Sequence, residues 1–205
     1  MKKRLVWAVV SVVIVAIIAG WFISRRGGDV QLASRSETSV ARSLIAGEQF
    51  YLQADPRWAR ETVGGSEEPL AAVGCTLCCV SNALACHGLN IDPSELNSLL
   101  KKGGGYTERG WIKWDALSNL CKGVARITVP RNPSSLGIET SLRKGDPVLV
   151  KILLKSGVNH WVLLVGRDGR DYLMKDPLRS DREIMPLSTY ESDIYAVRIV
   201  ERIER

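Results

Sequence analysis

A charged turn separates two short apolar runs in the second half of the chain, and it constrains the fold more than any other feature. The first run, HWVLLV, begins at His160, and the second, DYLMKD, ends at Asp176. Between them, GRDGR contains Asp168-Gly169, a pair that accepts the positive φ angles of a tight hairpin turn. The segment therefore predicts two antiparallel strands joined by a short turn.

The register of this hairpin decides whether His160 and Asp176 face each other. A turn symmetric about Asp168 puts them directly opposite on one face, with Cβ atoms about 5 Å apart. A two-residue turn centred between Asp168 and Gly169 shifts the pairing by one residue and puts them on opposite faces. If they meet, the carboxylate can orient an imidazole that acts as a general base, or the two can form a sheet-edge pair without chemistry.

The remaining patterns segregate along the chain, with helices in the first half and strands in the second. Helices are predicted over residues 75–88, 92–103, 108–123 and 133–146, and strands over residues 124–129, 147–154 and 194–200 in addition to the hairpin. In the second helix, Asp92 is expected to cap, Pro93 to take the first position and Gly103 to end the helix. This order predicts an α+β fold in which N-terminal helices pack on a mainly antiparallel sheet.

The N-terminal segment Leu5–Ile23 contains no ionisable residue. A helix of this length spans about 28 Å, close to the thickness of one hydrocarbon core. A cleaved signal peptide is the alternative, but the segment is long for one and lacks a clean small-x-small cleavage site. We therefore expect a transmembrane anchor over residues 1–26, a polar linker over residues 27–46 and a folded domain over residues 47–205.

Charge gives the orientation and excludes one class of partner. Lys2, Lys3, Arg4 and the terminal amine slightly outweigh Arg25 and Arg26, which favours a single-pass protein with a cytoplasmic N-terminus and an extracytoplasmic domain. The chain carries a net charge of +6, but residues 1–26 hold five cations and no acid, so the rest is close to neutral. We therefore expect the membrane and no nucleic acid among its partners.

Cys75 is the candidate nucleophile among the five cysteines of the chain. It follows a glycine and begins a helix, where the helix dipole and unpaired N–H groups favour a thiolate. Cys78, Cys79, Cys86 and Cys121 are expected to be small buried hydrophobes. Cys75 and Cys78 also form a CxxC pair, but neither a preceding βαβ pattern nor a second ligand pair accompanies it, so no redox or metal site is expected.

Three stretches taken together resemble a known family over about residues 49–178. They are FYLQADPRWA, VGCTLCCVSNALACHGLNIDPSELNSLLKKGGGY and NHWVLLVGRDGRDYLMKDP. The family is that of the papain-like bacteriocin-processing peptidases, in the broad group of double-glycine leader peptidase-like domains. The resemblance implies a papain-like cysteine peptidase fold without metal or organic cofactor, and a peptide or protein substrate.

Residue by residue, the resemblance implies Cys75 as nucleophile, His160 as base, Asp176 as orienting acid and Gln53 as oxyanion donor. A side-chain amide together with the backbone N–H of the nucleophile is a suitable cradle for a tetrahedral oxyanion. In the narrow family the peptidase precedes a transporter, whereas here the membrane segment comes first, so leader processing is not implied.

The sequence thus favours a membrane-anchored cysteine peptidase with a Cys-His-Asp triad. A cell-wall amidase or transamidase of the same architecture and a catalytically inactive peptide-binding module remain as alternatives. The substrate and the oligomeric state do not follow from the sequence.

Overall fold

A computed structural model of the chain describes residues 30–45 and 47–203. The expected transmembrane anchor over residues 1–26 and the first residues of the expected linker lie outside this range. Within the described ranges, no helix is both long enough and apolar enough to cross a bilayer.

The described part of the chain contains five α-helices and one 3₁₀-helix. They are α1 (Leu70–Val73), α2 (Cys75–Cys86), α3 (Pro93–Lys102), α4 (Trp114–Leu120), α5 (Ser135–Lys144) and a 3₁₀-helix (Leu187–Tyr190). As expected, the Asp92 side chain caps α3 by accepting from the Glu95 N–H at 2.9 Å, and Gly103 follows its last residue.

The strands form an antiparallel sheet in the order β1-β4-β3-β6-β2, with β5 paired to β4. They are β1 (Arg35–Leu44), β2 (Ala125–Thr128), β3 (Val148–Leu153), β4 (Asn159–Lys175), β5 (Met185–Pro186) and β6 (Ala196–Arg202). The α+β class with an antiparallel sheet is confirmed.

The two predicted hairpin strands and their turn form one strand in the structure, β4, but this strand folds back between its ends. A straight strand would hold residues 160 and 176 about 50 Å apart. Instead, His160 Nε2 lies 2.7 Å from Asp176 Oδ1, so the chain reverses between them. Gly169, with φ of +57°, lies in this reversal, where a side chain would be strained.

The expected linker is wrong for residues 35–44, because they form β1. This strand pairs along the bend of β4, from Arg35 opposite Asp171 to Leu44 opposite Gly166. Its register is irregular, so the ten residues of β1 lie alongside six residues of β4. Only Ser36 of β1 is buried, so no apolar alternation marks the strand in the sequence. Main-chain pairing at a sheet edge does not require that alternation.

The helix predicted over residues 108–123 is shorter in the structure, where it is α4. Residues 107–112 form a turn instead, in which the Thr107 N–H donates to the Trp111 carbonyl at 2.8 Å and Tyr106 bridges to Ile112. Gly110, with φ of +76°, interrupts any helix there, and α4 begins only at Trp114.

Two apolar layers cover the two faces of the sheet. On one face, Leu77 and Leu84 of α2 belong to a cluster with Leu149 and Leu163. On the other face, a second cluster includes Ile138 of α5. Since β3 and the first half of β4 are covered on both sides, their sequences are apolar without alternation.

Candidate active site

Cys75 lies at the start of α2, directly after the break between two consecutive helices. Gly74 forms this break, and a Cβ there would lie 2.5 Å from the Leu70 carbonyl oxygen, so no larger residue fits without a shift. Cys75 is half-buried, and as the first residue of α2 its N–H has no earlier carbonyl of that helix to bond. The thiol and a free backbone donor are therefore presented side by side.

His160 and Asp176 occupy the two ends of the hairpin. His160 stands at the start of β4 opposite Ile152 of β3, and Asp176 follows the last residue of β4. The two residues are 2% and 0% exposed. Because the His160 Nε2–Asp176 Oδ1 distance of 2.7 Å occupies one ring nitrogen, Nδ1 is the nitrogen left to face a thiol.

The first turn of α2 is fixed against the same strand. The Cys79 thiol, one turn after Cys75, donates to the Trp161 carbonyl at 3.3 Å. This contact aligns the helix start with the strand start, and the side chains of Cys75 and His160 act on each other's pKa.

The pKa values of the pair move in opposite directions. Burial raises the pKa of the Cys75 thiol, but the hydrogen bond and charge of His160 outweigh it, so that pKa lies below its ordinary value. Burial lowers the pKa of His160, yet hydrogen bonds to Asp176 and Cys75 raise it to about 9. Both shifts favour the imidazolium–thiolate form of the pair over the neutral form.

Asp176 has two further donors that hold it in place. The Leu178 N–H donates to Oδ1 at 2.9 Å, and the Tyr190 hydroxyl donates to Oδ2. Burial raises the pKa of Asp176, but the imidazole, Tyr190 and Leu178 N–H lower it overall, so the carboxylate stays ionised. Tyr190 was not among the residues that the sequence indicated, because the 3₁₀-helix that carries it has no local signal for this contact.

Gln53 is hydrogen-bonded both to the segment that carries Asp176 and to the segment that precedes Cys75. Its backbone N–H donates to the Pro177 carbonyl at 3.0 Å, next to Asp176, and its side-chain Nε2 donates to the Ala71 carbonyl at 2.6 Å, four residues before Cys75. Gln53 is buried, and its Oε1 has no hydrogen-bond partner among the described residues. One Nε2 hydrogen remains after the bond to Ala71.

The other four cysteines differ from Cys75 in the direction of their thiol pKa shifts. Burial raises the pKa of each of the four thiols. Cys78, Cys79 and Cys121 are buried, Cys86 is half-buried, and none of the cysteines forms a disulfide in the described chain. His87 is bonded elsewhere, through Nε2 to the Val200 carbonyl at 2.8 Å.

A cleft of about 580 Å³ is lined by sequence neighbours of Cys75 and His160, although neither residue itself lines it. Thr76, which follows Cys75, and Asn159 and Trp161, which flank His160, all line it. Trp114 and the 65% exposed Trp111 form part of its wall, whereas Trp58 belongs to the core.

Searches of family models and of curated proteins give no match to this chain. A comparison with solved structures shows a similar fold. One match is a crystal structure of a protein from Bacillus anthracis described as a C39-like peptidase, with a TM-score of 0.51. It covers 81% of this chain and 99% of that chain at 16% identity, so the likeness shows the fold alone.

Proposed function

We propose that this protein is a cysteine peptidase that uses Cys75, His160 and Asp176 as a catalytic triad and Gln53 as an oxyanion donor. The observation that carries the proposal is the 2.7 Å contact between His160 Nε2 and Asp176 Oδ1, together with a lowered pKa of the helix-terminal Cys75 thiol to which His160 contributes. The pKa shifts of the three groups are complementary, because those of Cys75 and Asp176 are lowered and that of His160 is raised.

In the first half of the reaction, the Cys75 thiolate attacks the carbonyl carbon of a peptide bond, and an S–C bond forms. The negative charge that develops on the carbonyl oxygen is held by the Cys75 N–H and the remaining Nε2 hydrogen of Gln53. The His160 imidazolium gives its proton to the leaving nitrogen, the C–N bond breaks, and a thioester remains on Cys75.

In the second half, neutral His160 takes a proton from a water molecule that attacks the thioester. The C–S bond breaks, the carboxylic acid product leaves, and the thiolate beside the imidazolium is restored. Asp176 keeps its charge throughout and orients the ring, a role supported by its low pKa and its hydrogen bonds.

The anchor completes the proposal. The apolar segment Leu5–Ile23 holds the protein in a membrane as a single-pass protein, with the catalytic domain on the extracytoplasmic side. Its substrates are then peptides or proteins outside the cytoplasm.

The test uses the full chain in detergent, first incubated with iodoacetamide at pH 7. We expect Cys75 to be alkylated well before the four cysteines with raised pKa values, and Cys75→Ala to remove the fast phase while Cys86→Ala retains it. Equal rates at all five cysteines would contradict the proposed site.

The reaction itself is tested with a proteome-derived peptide library and, separately, with purified cell wall. We expect cleavage of peptides that Cys75→Ala abolishes and Cys86→Ala preserves. Release of cell-wall fragments without peptide cleavage would instead support an amidase, and fast alkylation with no turnover of either substrate would support a binding module.

A further inference from the structure

The cleft lined by Thr76, Asn159 and Trp161 is rich in positive charge. Its lining includes Lys151, Arg198 and Arg109 and a single carboxylate, Glu68. None of these four side chains forms a salt bridge within the described part of the chain. The cleft therefore contains cations without a resident partner.

Arg198 is the most strongly held of these cations. Its guanidinium carbon lies 4.9 Å from the ring centroid of Trp114 and 5.4 Å from that of Trp161, and the two rings are 5.7 Å apart. Both rings present π density to the cation and keep the planar group in one orientation. An arginine that served only solubility would not need such a clamp.

The hydrogen-bonding capacity of Arg198 is largely unused. Nη1 donates to the Val197 carbonyl at 2.7 Å, whereas Nε is buried and has no acceptor among the described residues. A guanidinium has five N–H donors in a fixed fork, and that fork matches a carboxylate. Burial also lowers the pKa of Arg198, which is the sign of a desolvated cation without an anionic partner.

The sheet register gives Arg198 a cationic neighbour. Arg198 lies opposite Leu149 on β3, and Lys151, two residues further on the same face, lies opposite Trp161. Trp161 is the residue directly after His160. The cationic part of the cleft is thus adjacent to the strand start that carries the proposed base.

We propose that this cleft recognises a carboxylate of the substrate peptide close to the bond that is cleaved, with Arg198 as the specificity residue and Lys151 as its support. The inference rests on the proposed function, because it assigns a substrate class to the same site. The carboxylate belongs to an aspartate or glutamate side chain or to a free C-terminus, which share this chemistry.

The first test measures cleavage by the full 205-residue chain. Sites cut in a proteome-derived peptide library identify the position at which acidic residues are enriched. Synthetic pairs then differ only in Glu against Gln at that position, or in a free against an amidated C-terminus. We expect kcat/KM to favour the carboxylate member of one pair type by about tenfold or more.

The matched variants separate Arg198 from a general charge effect. Arg198→Met keeps an apolar stem between the two rings and is expected to reduce the preference to near unity. Arg143→Met, on the exposed last turn of α5, is expected to keep the preference. A preference that survives Arg198→Met, or no acidic preference at all, would overturn the proposal. If Arg198→Met does not fold, Arg198→Lys, which keeps the charge without the fork, must still weaken the preference.

A second test does not depend on turnover. The full-length Cys75→Ala chain is titrated with acetyl-Gly-Glu-Gly-amide, its Gln counterpart and acetyl-Gly-Gly-Gly with a free carboxylate, and the fluorescence of the tryptophans that clamp Arg198 is followed. If a carboxylate peptide binds more tightly than its neutral counterpart and Arg198→Met abolishes the difference, the recognition site is supported. This holds even if the wild type cleaves nothing, and in that case only the proposed peptidase function fails. Equal binding of all three probes would refute the recognition site.

Discussion

Replacement of Asp176 by asparagine tests how strongly the buried carboxylate favours the charged form of Cys75 and His160, the proposed catalytic pair. The pKa of His160 is raised from its ordinary 6.5 to about 9, a stabilisation of the imidazolium of about 3 kcal/mol that the hydrogen bonds to Asp176 and Cys75 share. The asparagine side chain keeps the shape of the carboxylate but removes its charge, so the pKa of His160 falls. Because burial alone raises the pKa of Cys75, the loss of imidazolium also raises the pKa of the thiol and so reduces its thiolate fraction.

The assay is the rate of iodoacetamide alkylation of Cys75 as a function of pH. In the wild type we expect fast alkylation to begin below the ordinary thiol pKa of 9.0. In Asp176→Asn the rise shifts to higher pH, and the rate at pH 7 falls by about tenfold or more, since about 1.4 kcal/mol corresponds to a factor of ten. Asp168→Asn, which changes an exposed carboxylate on the same hairpin, serves as the control. A superimposable profile for wild type and Asp176→Asn would refute the reasoning.

Two further predictions concern residues that position the site. Tyr190→Phe removes one donor to Asp176, which raises the pKa of that carboxylate, so we expect kcat for a cleaved peptide to fall several-fold with KM little changed and the acid limb of the pH profile to move to higher pH. An unchanged acid limb would leave Tyr190 with a packing role only. Gly74→Ala places a Cβ 2.5 Å from the Leu70 carbonyl oxygen, so we expect the free energy of unfolding in urea titrations to fall by about 1–3 kcal/mol. Gly65→Ala, whose Cβ meets no atom within 4 Å, is the control, and equal stability of the two variants would contradict the close contact.

The parts of the fold that the sequence predicted are those set by local chemistry. Asp92, Pro93 and Gly103 mark both ends of α3 because caps and helix stops depend on neighbouring backbone groups. The reversal near Gly169 was predictable for the same reason, since positive φ is a property of the residue itself. The register that brings His160 to Asp176 was one of two open alternatives, because a one-residue change in the turn does not alter the sequence signal.

The parts that the sequence did not predict depend on distant partners. β1 is polar and exposed, and its only buried residue, Ser36, hydrogen-bonds to Glu139 of α5 at 2.7 Å. The turn at residues 107–112 closes through a backbone bond from Thr107 to Trp111 that competes with the helix-like pattern around it. In both cases the stabilising contact is absent from the local window on which propensity arguments rest.

The same distinction explains why some site residues could be found from the sequence and others could not. Cys75, His160 and Asp176 each stand at the end of a helix or strand, where a change of pattern along the chain marks the position. Arg198 lies inside β6, and its sequence context, AVRIV, resembles any half-exposed strand. Only the convergence of Trp114 from a helix and Trp161 from another strand distinguishes it from a solvated arginine. In the proposed peptidase, the catalytic residues thus stand at the ends of helices and strands, whereas the residue proposed to set the substrate preference lies inside the sheet.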